Sequence, residues 1–199
     1  MDNDTKVMLS VGELDMANDK NIILTKQAIT AKAATLFNEQ IPALSISFQQ
    51  IFIDDEKLIS SVPKISKGEN YNGFPYVMMD YPANFGKENI FALRTMFWWG
   101  SFISITLHLK GKYKEMYAAK ILEKITAEPD LYLSTGNDEW QHNFEESNYL
   151  KSIYITEEHI QNLNKVDFLK VALKYELHHW NMMQSLLPEG YNKIKNLFF

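Results

Sequence analysis

The chain has 199 residues, of which 46% are hydrophobic and 23% are charged, a balance typical of a globular protein and not of a disordered one. Its formal net charge of -5 disfavours non-specific binding to nucleic acid or to an anionic membrane, because both need a positive protein surface. The sequence contains no cysteine, which excludes disulfides, thiolate metal sites and a cysteine nucleophile.

The ends and the apolar stretches of the chain predict its location. The first residues, MDNDTKVMLSVGELD, lack the basic start and the apolar run of a signal peptide. The longest apolar stretch, Met96 to Phe102, is far shorter than the roughly 20 residues of a membrane helix. We therefore expect a cytoplasmic protein that forms a single domain over residues 1–199, since one domain is usual at this length.

The N-terminal part is predicted to be helical after a polar lead-in at residues 1–18 that is either loose or locally folded. Asn18 or Asp19 can cap a helix whose apolar residues recur at helical spacing as far as Ile41. Pro42 is expected to break or restart that helix, because proline lacks the N–H that a helix interior needs.

The next two segments are predicted from proline position and turn residues. Residues 42–55 fit a strand by alternation and a helix by spacing, and Pro42 in a first turn favours the helix. Residues 54–72 contain a proline, a glycine and several charges, which predicts a connecting loop with a short helical turn at residues 56–60.

The stretch between Gly73 and Gly111 holds the densest run of aromatic and β-branched residues. It predicts three consecutive antiparallel strands at about residues 74–81, 90–98 and 102–109.

The register of the second and third strands depends on the turn near Gly100. A three-residue turn places Arg94 opposite Thr106, whereas a two-residue turn places it opposite Leu107. Only the three-residue turn gives one nearly all-apolar face, and a register slip would move a hydrophobic set to the wrong face. In this register the second face carries Arg94, Met96, Trp98, Phe102, Ser104, Thr106 and His108.

Four further elements are predicted after Gly111. Residues 112–127 form a clear amphipathic helix. LYLST at residues 131–135 predicts a short fourth strand, and a further strand lies at either residues 140–144 or residues 150–155. Thr156 is predicted to cap a short helix.

The last major element is predicted to be a long C-terminal helix from about Val166 to Leu187. Together these elements predict an α+β fold, in which an antiparallel sheet of four or five strands is centred on residues 74–109. The N-terminal helices, the 112–127 helix and the C-terminal helix are expected to pack on that sheet.

Glu176 lies at the centre of the apolar face of the predicted C-terminal helix. A carboxylate there must be paired or protonated, because burying an unpaired charge is costly. Arg94, the only arginine in the chain, is the candidate partner in a structural ion pair, and the alternative is a functional carboxylate in the floor of a pocket. In the remaining alternative the helical phase is wrong and Glu176 lies at the surface.

Two Glu-x-x-His pairs, Glu176 with His179 and Glu139 with His142, have the spacing of a half-motif in two-metal helical bundles. A chain centred on a sheet does not match such a bundle, so we expect no metal and no cofactor. A metalloprotein that uses Glu176 and His179 is kept as a further alternative.

The polar face of the central strands is the second candidate site. An arginine among hydroxyls and aromatic rings suits a carboxylate or a phosphate, and a nearby histidine suits acid–base chemistry. The structural alternative is a covered sheet face in which Arg94 pairs with Asp80 or Glu176. The candidate ligand-binding residues are Asp80, Arg94, Trp98, Ser104, Thr106, His108 and Glu176.

The sequence contains no nucleophile elbow, P-loop, dinucleotide-binding glycine motif or kinase signature. The expected function is therefore non-catalytic binding of a protein partner, for which an exposed Trp98 or Trp99 would be an anchor. The alternative is a small enzyme or a binder of an anionic small molecule that uses Arg94, His108 and Glu176. No nucleic acid or membrane partner is expected.

Overall fold

The structure, a computed structural model, describes residues 7–51 and 55–199. Predictions for residues 1–6 and 52–54, which include the start of the lead-in and the end of the predicted second helix, lie outside the described residues. The helices are α1 (Val11–Asn18), α2 (Lys20–Phe48), α3 (Glu56–Ile59), α4 (Lys112–Ile125), α5 (Glu157–Leu163) and α6 (Met183–Asn196). The strands are β1 (Lys64–Tyr71), β2 (Phe74–Phe85), β3 (Ile90–Trp98), β4 (Phe102–Lys110), β5 (Tyr132–Ser134), β6 (Tyr149–Lys151) and β7 (Phe168–Glu176).

The seven strands form one antiparallel sheet in the order β1-β2-β3-β4-β7-β5-β6. The α+β class is therefore confirmed, and the sheet has more strands than the four or five predicted. The single-domain prediction stays a prediction. None of the described helices is long and apolar enough to cross a membrane.

The central strands agree with the sequence prediction. In β3 and β4, Trp98 is the partner of Phe102 and Arg94 is the partner of Thr106, which is the register of the three-residue turn. Gly100 in this turn has a φ of 70°, a backbone conformation that glycine adopts without steric cost. This register separates the two faces of the sheet.

One face of the sheet packs against α2, α4 and α6 and forms the main core. Leu93, Ile105 and Leu107 on the central strands are fully buried, as are Phe37 of α2 and Ile121 of α4. A hydroxyl hydrogen bond of 2.8 Å between Thr95 and Tyr191 ties α6 to β3 within this core. The helix layer thus covers the apolar face of the sheet and does not cover the second face.

Two predictions in the first half of the chain need correction. Helix α2 continues through Pro42 instead of breaking, because Leu44 and Phe48 beyond it remain buried in the core. The predicted loop at residues 54–72 contains β1, an edge strand whose charged residues point to solvent. Of the two forms predicted for the lead-in, the locally folded one is observed, since it contains α1 with a capping box of Ser10 and Glu13.

The predicted C-terminal helix is wrong over its first half. Residues 168–176 form β7, and α6 begins only at Met183 after a 3₁₀ helix at Leu177–Met182. The residues Leu169, Val171, Leu173 and Tyr175 alternate along the strand towards the helix layer. Lys170, on the opposite face, is buried too.

Candidate functional site

The second face of the sheet brings together six of the seven predicted ligand-binding residues. Asp80, Arg94, Trp98, Ser104, Thr106 and His108 lie on neighbouring strands of this face. The loop at residues 135–148, here called the covering segment, lies over them. Phe144 of this segment packs on Phe102 with ring centroids 5.0 Å apart, and Trp140 packs on His108 at 5.7 Å.

Arg94 uses its whole guanidinium group on partners within the chain. Its Nε donates to Oδ1 of Asp80 at 2.7 Å, and its Nη2 donates to Oδ2 at 2.9 Å. Its Nη1 lies 2.8 Å from Nε2 of His142 in the covering segment. Each nitrogen of Arg94 thus has a partner within the chain, and only the second N–H of Nη1 and of Nη2 is not used in these bonds. The pairing with Asp80 proposed from the sequence is the one observed.

His142 and His108 are held neutral by their surroundings. Burial, reinforced by the positive charges of Lys170 and Arg94, lowers the pKa of His142 well below its ordinary value. The same causes, with Lys110 added, lower the pKa of His108 to about 3. Neutral His142 accepts the hydrogen bond from Arg94, and neutral His108 donates to Oε2 of Glu139 at 3.1 Å.

Lys170 is the residue of this face that the sequence analysis missed. It is fully buried, donates to the backbone oxygen of Gln141, and lies 5.2 Å from the centre of the Tyr149 ring. Burial, together with the charge of Arg94, lowers its pKa to about 7. Lys170 therefore holds the covering segment against the sheet. This contact was not expected, because the sequence predicts a helix at this position.

Tyr149 completes the buried cluster. Its hydroxyl oxygen is inaccessible and makes no hydrogen bond of normal geometry with the described residues, although Thr106 is near enough to lower its pKa. Burial is the larger effect and raises the pKa of Tyr149 above its usual range. The second face is thus a closed polar layer in which charges are paired internally.

Glu176, the seventh predicted site residue, is not part of this cluster. It ends β7, its side chain is 52% exposed, and it lies 3.0 Å from Nζ of Lys174. The expected pair between Glu176 and Arg94 is therefore wrong, because β7 is a strand and carries Glu176 to the surface beyond the covering segment.

The two Glu-x-x-His pairs are also separate. Glu139 and His142 lie in the covering segment and contact Lys110 and Arg94 respectively, while Glu176 and His179 border an open cavity of about 360 Å³ beside α6. Within residues 7–51 and 55–199, no three His, Asp or Glu side chains are placed to hold a metal ion.

The tip of the β3–β4 hairpin is covered. Trp98 is 8% exposed and donates to the backbone oxygen of Tyr71, and Trp99 packs against the helix-side core. Neither tryptophan offers an exposed anchor.

The most exposed apolar surface lies at the N-terminus instead. Residues 7–25, here called the N-terminal arm, comprise α1 and the first residues of α2, and every one of them is exposed. The sequence analysis took this region for a polar lead-in and missed it. The large apolar side chains exposed on the arm are Val7, Met8, Leu9, Val11, Leu14, Met16, Ile22, Ile23 and Leu24.

Comparison of the chain with protein-family models, with curated proteins and with solved structures finds no match.

Proposed function

We propose that this chain is a non-catalytic protein-binding module and that the N-terminal arm is its binding surface. The observation that carries the proposal is the run of nine large apolar side chains on residues 7–25, all exposed. Helix α1 contributes no buried residue to the rest of the chain. Exposed apolar surface on this scale marks an interaction site in a globular protein.

The form of the arm supports a function outside the folded body. Helix α1 has only eight residues, and a helix of that length is marginal in water without packing. It nevertheless carries a complete capping box, in which the Glu13 carboxylate accepts from the Ser10 backbone N–H at 2.7 Å. A capped helix that buries no side chain against the described residues 7–51 and 55–199 is suited to dock on a partner outside the chain.

The charge of the arm favours a protein partner. It carries Glu13, Asp15 and Asp19 against one lysine, Lys20. Helices that lie on anionic membranes carry lysine and arginine along their polar face, and nucleic acid also requires a basic surface. An acidic arm with leucine, isoleucine and methionine side chains fits an apolar groove on a protein.

The energetics require several arm residues to be buried at once. Full burial of one such side chain gains roughly 1.5–3 kcal/mol, while association costs roughly 4–15 kcal/mol in lost freedom. One anchor is therefore insufficient, and several are needed. Substitution of two or three arm residues should consequently abolish binding.

The alternative, a small enzyme or a binder of an anionic small molecule that uses Arg94, His108 and Glu176, has less support. All guanidinium nitrogens of Arg94 already face Asp80 or His142. Glu176 lies outside the cluster. A thermal-shift screen against anionic metabolites, with Arg94→Lys as the comparison variant, would reveal such a ligand.

The proposal is tested by photo-crosslinking in cells that express the chain. A photoreactive amino acid is placed at Leu14 of the arm and, as a matched control, at Ile153, which is 55% exposed elsewhere. We expect a discrete protein adduct from position 14 that disappears when Ile22 and Ile23 are changed to serine. Equal labelling from both positions, or none from position 14, contradicts the proposal.

A further inference from the structure

A shallow groove of about 430 Å³ runs along α2 on the side away from the core. Leu36 of α2 and Trp180 of the 3₁₀ helix contribute its apolar surface. Lys32, Glu39 and Gln184 form its polar rim, where the Gln184 amide donates to the Glu39 carboxylate at 2.5 Å. The groove and the N-terminal arm therefore share one helix.

The outward face of α2 forms a regular stripe that links arm and groove. At about 100° per residue, its members fall within roughly a quarter of the helix circumference. This stripe is opposite the buried residues Ala33, Phe37 and Leu44. Its members, all exposed, are Lys20, Leu24, Ala28, Ala31, Thr35 and Glu39.

We propose that a second copy of this chain is the partner of the arm, and that two α2 helices pack antiparallel through this stripe. The inference rests on the proposed function, because it names the partner of the same surface. In this arrangement Leu24 of each copy enters the groove beside Leu36 and Trp180 of the other, and Ile23 lies on the flank of the stripe. Such a contact is self-complementary, as a two-fold dimer requires.

The sequence of the stripe supports a single register. When the two-fold axis passes midway between Ile29 and Thr30, Leu24 faces Thr35 of the second copy. The same axis places Lys20 opposite Glu39, a pair of opposite charge. One position of the axis therefore accounts for both pairings, Leu24 with Thr35 and Lys20 with Glu39.

The residues at the centre of this register allow close packing. Ala28 faces Ala31 of the second copy on both sides of the axis. Alanine side chains let two helices approach to the 8–10 Å of ordinary helix packing. A bulky residue at either position would hold the two helices apart and keep Leu24 out of the groove.

The test uses the absence of native cysteine. Leu24→Cys and Thr35→Cys are prepared as separate full-length variants and treated with a short bis-maleimide, alone and mixed. We expect a covalent dimer in the mixture and much less in either sample alone, since positions 24 of the two copies are about 16 Å apart at 1.5 Å per residue. Strong crosslinking of Leu24→Cys alone overturns the register and with it the proposal.

The oligomeric state provides the second measurement. Light scattering on a sizing column should give a dimer of the 23.2 kDa chain at high concentration. Ile23→Glu with Leu24→Glu should raise the dissociation constant at least about tenfold, whereas the control Ile153→Glu should not change it. Lys20→Glu and Glu39→Lys should each weaken the dimer, and the two together should restore it.

A monomer at all concentrations, or a dimer unaffected by Ile23→Glu with Leu24→Glu, overturns the inference. In the first case an arm-dependent adduct with a different protein in the photo-crosslinking experiment still supports the proposed function. The two proposals therefore fail separately.

Discussion

Arg94 and Asp80 are direct partners on neighbouring strands, and their side chains form a two-pronged ion pair with distances of 2.7 and 2.9 Å. Both side chains are largely buried beneath the covering segment. A third nitrogen of Arg94 reaches His142, so the pair also anchors the segment that shields it. Arg94 thus serves the architecture of the second face, and the proposed interaction surface lies elsewhere.

The first prediction concerns this ion pair. Arg94→Met should lower the free energy of unfolding by roughly 3–5 kcal/mol, because it leaves the buried Asp80 carboxylate unpaired. Replacing both partners, as Arg94→Met with Asp80→Leu, should cost clearly less than the single change. Urea unfolding of the three proteins measures both values, and equal losses in single and double variants would show that the pair is not coupled.

The second prediction is a loss of stability in acid. His108 has an ordinary pKa of 6.5 and a pKa of about 3 in the folded chain, so the unfolded chain binds more protons between these values. Stability should therefore fall as the pH drops from 6.5 towards 3. His108→Gln removes this group and should flatten the dependence, as measured by the melting temperature from pH 7 to pH 4. An unchanged slope would contradict a buried neutral His108.

The third prediction concerns Lys170 on the alkaline side. Its pKa is 10.5 ordinarily and about 7 in the folded chain, so the unfolded chain holds the extra proton between these values. Stability should rise with pH over this window. In Lys170→Met this rise should be absent. Denaturant unfolding at pH 7 and pH 9.5 compares the two proteins, and a rise that persists in the variant would assign it to another group.

The strands differ in how well they could be predicted from the sequence. The β3–β4 register was predictable because one register alone separates an apolar from a polar face, and Arg94 then falls opposite Thr106. Strand β7 was missed because Leu169 and Leu173 also fit a helical spacing when they are combined with apolar residues further along the chain, as far as Leu187. Edge strand β1 was missed because charged side chains, which protect a sheet edge, also resemble those of a loop.

The site was predictable only in part. The residues of the second face were named correctly as a group, since strand alternation places them together. The covering segment was not predictable from local pattern, because His142 and Glu139 reach the sheet through tertiary contacts. The N-terminal arm was overlooked because its polar residues suggested a lead-in, while the exposure of Leu14 and Met16 is a property of the fold.

The fourth prediction concerns the contact of α6 with the sheet. A methyl group at Gly190 would meet the Tyr175 hydroxyl and lie 2.7 Å from Cδ1 of Ile105. Gly190→Ala should therefore lower the free energy of unfolding by roughly 1–3 kcal/mol through overpacking, although alanine favours helices. The matched control is Gly12→Ala in α1, which meets nothing within 4 Å and should cause no loss. Thermal unfolding of both variants decides the point.

The fifth prediction separates binding from stability. Val11→Ser with Met16→Ser should leave the melting temperature of the monomeric chain unchanged, because neither side chain is buried in the fold. The same variant should abolish the photo-crosslink from the arm. A fall in melting temperature comparable to that of a core substitution would mean that the arm packs on its own chain.

Amide hydrogen exchange of the purified chain at low and high concentration tests the central claim most directly. The claim is that the arm is covered by a second copy of this chain and not by its own. Unbound, the short helix α1 should exchange rapidly, since it makes no buried contact. The account predicts that protection of residues 11–25 rises with concentration while the sheet is unchanged. Rapid exchange of the arm at every concentration, or strong protection already in the dilute monomer, would contradict it.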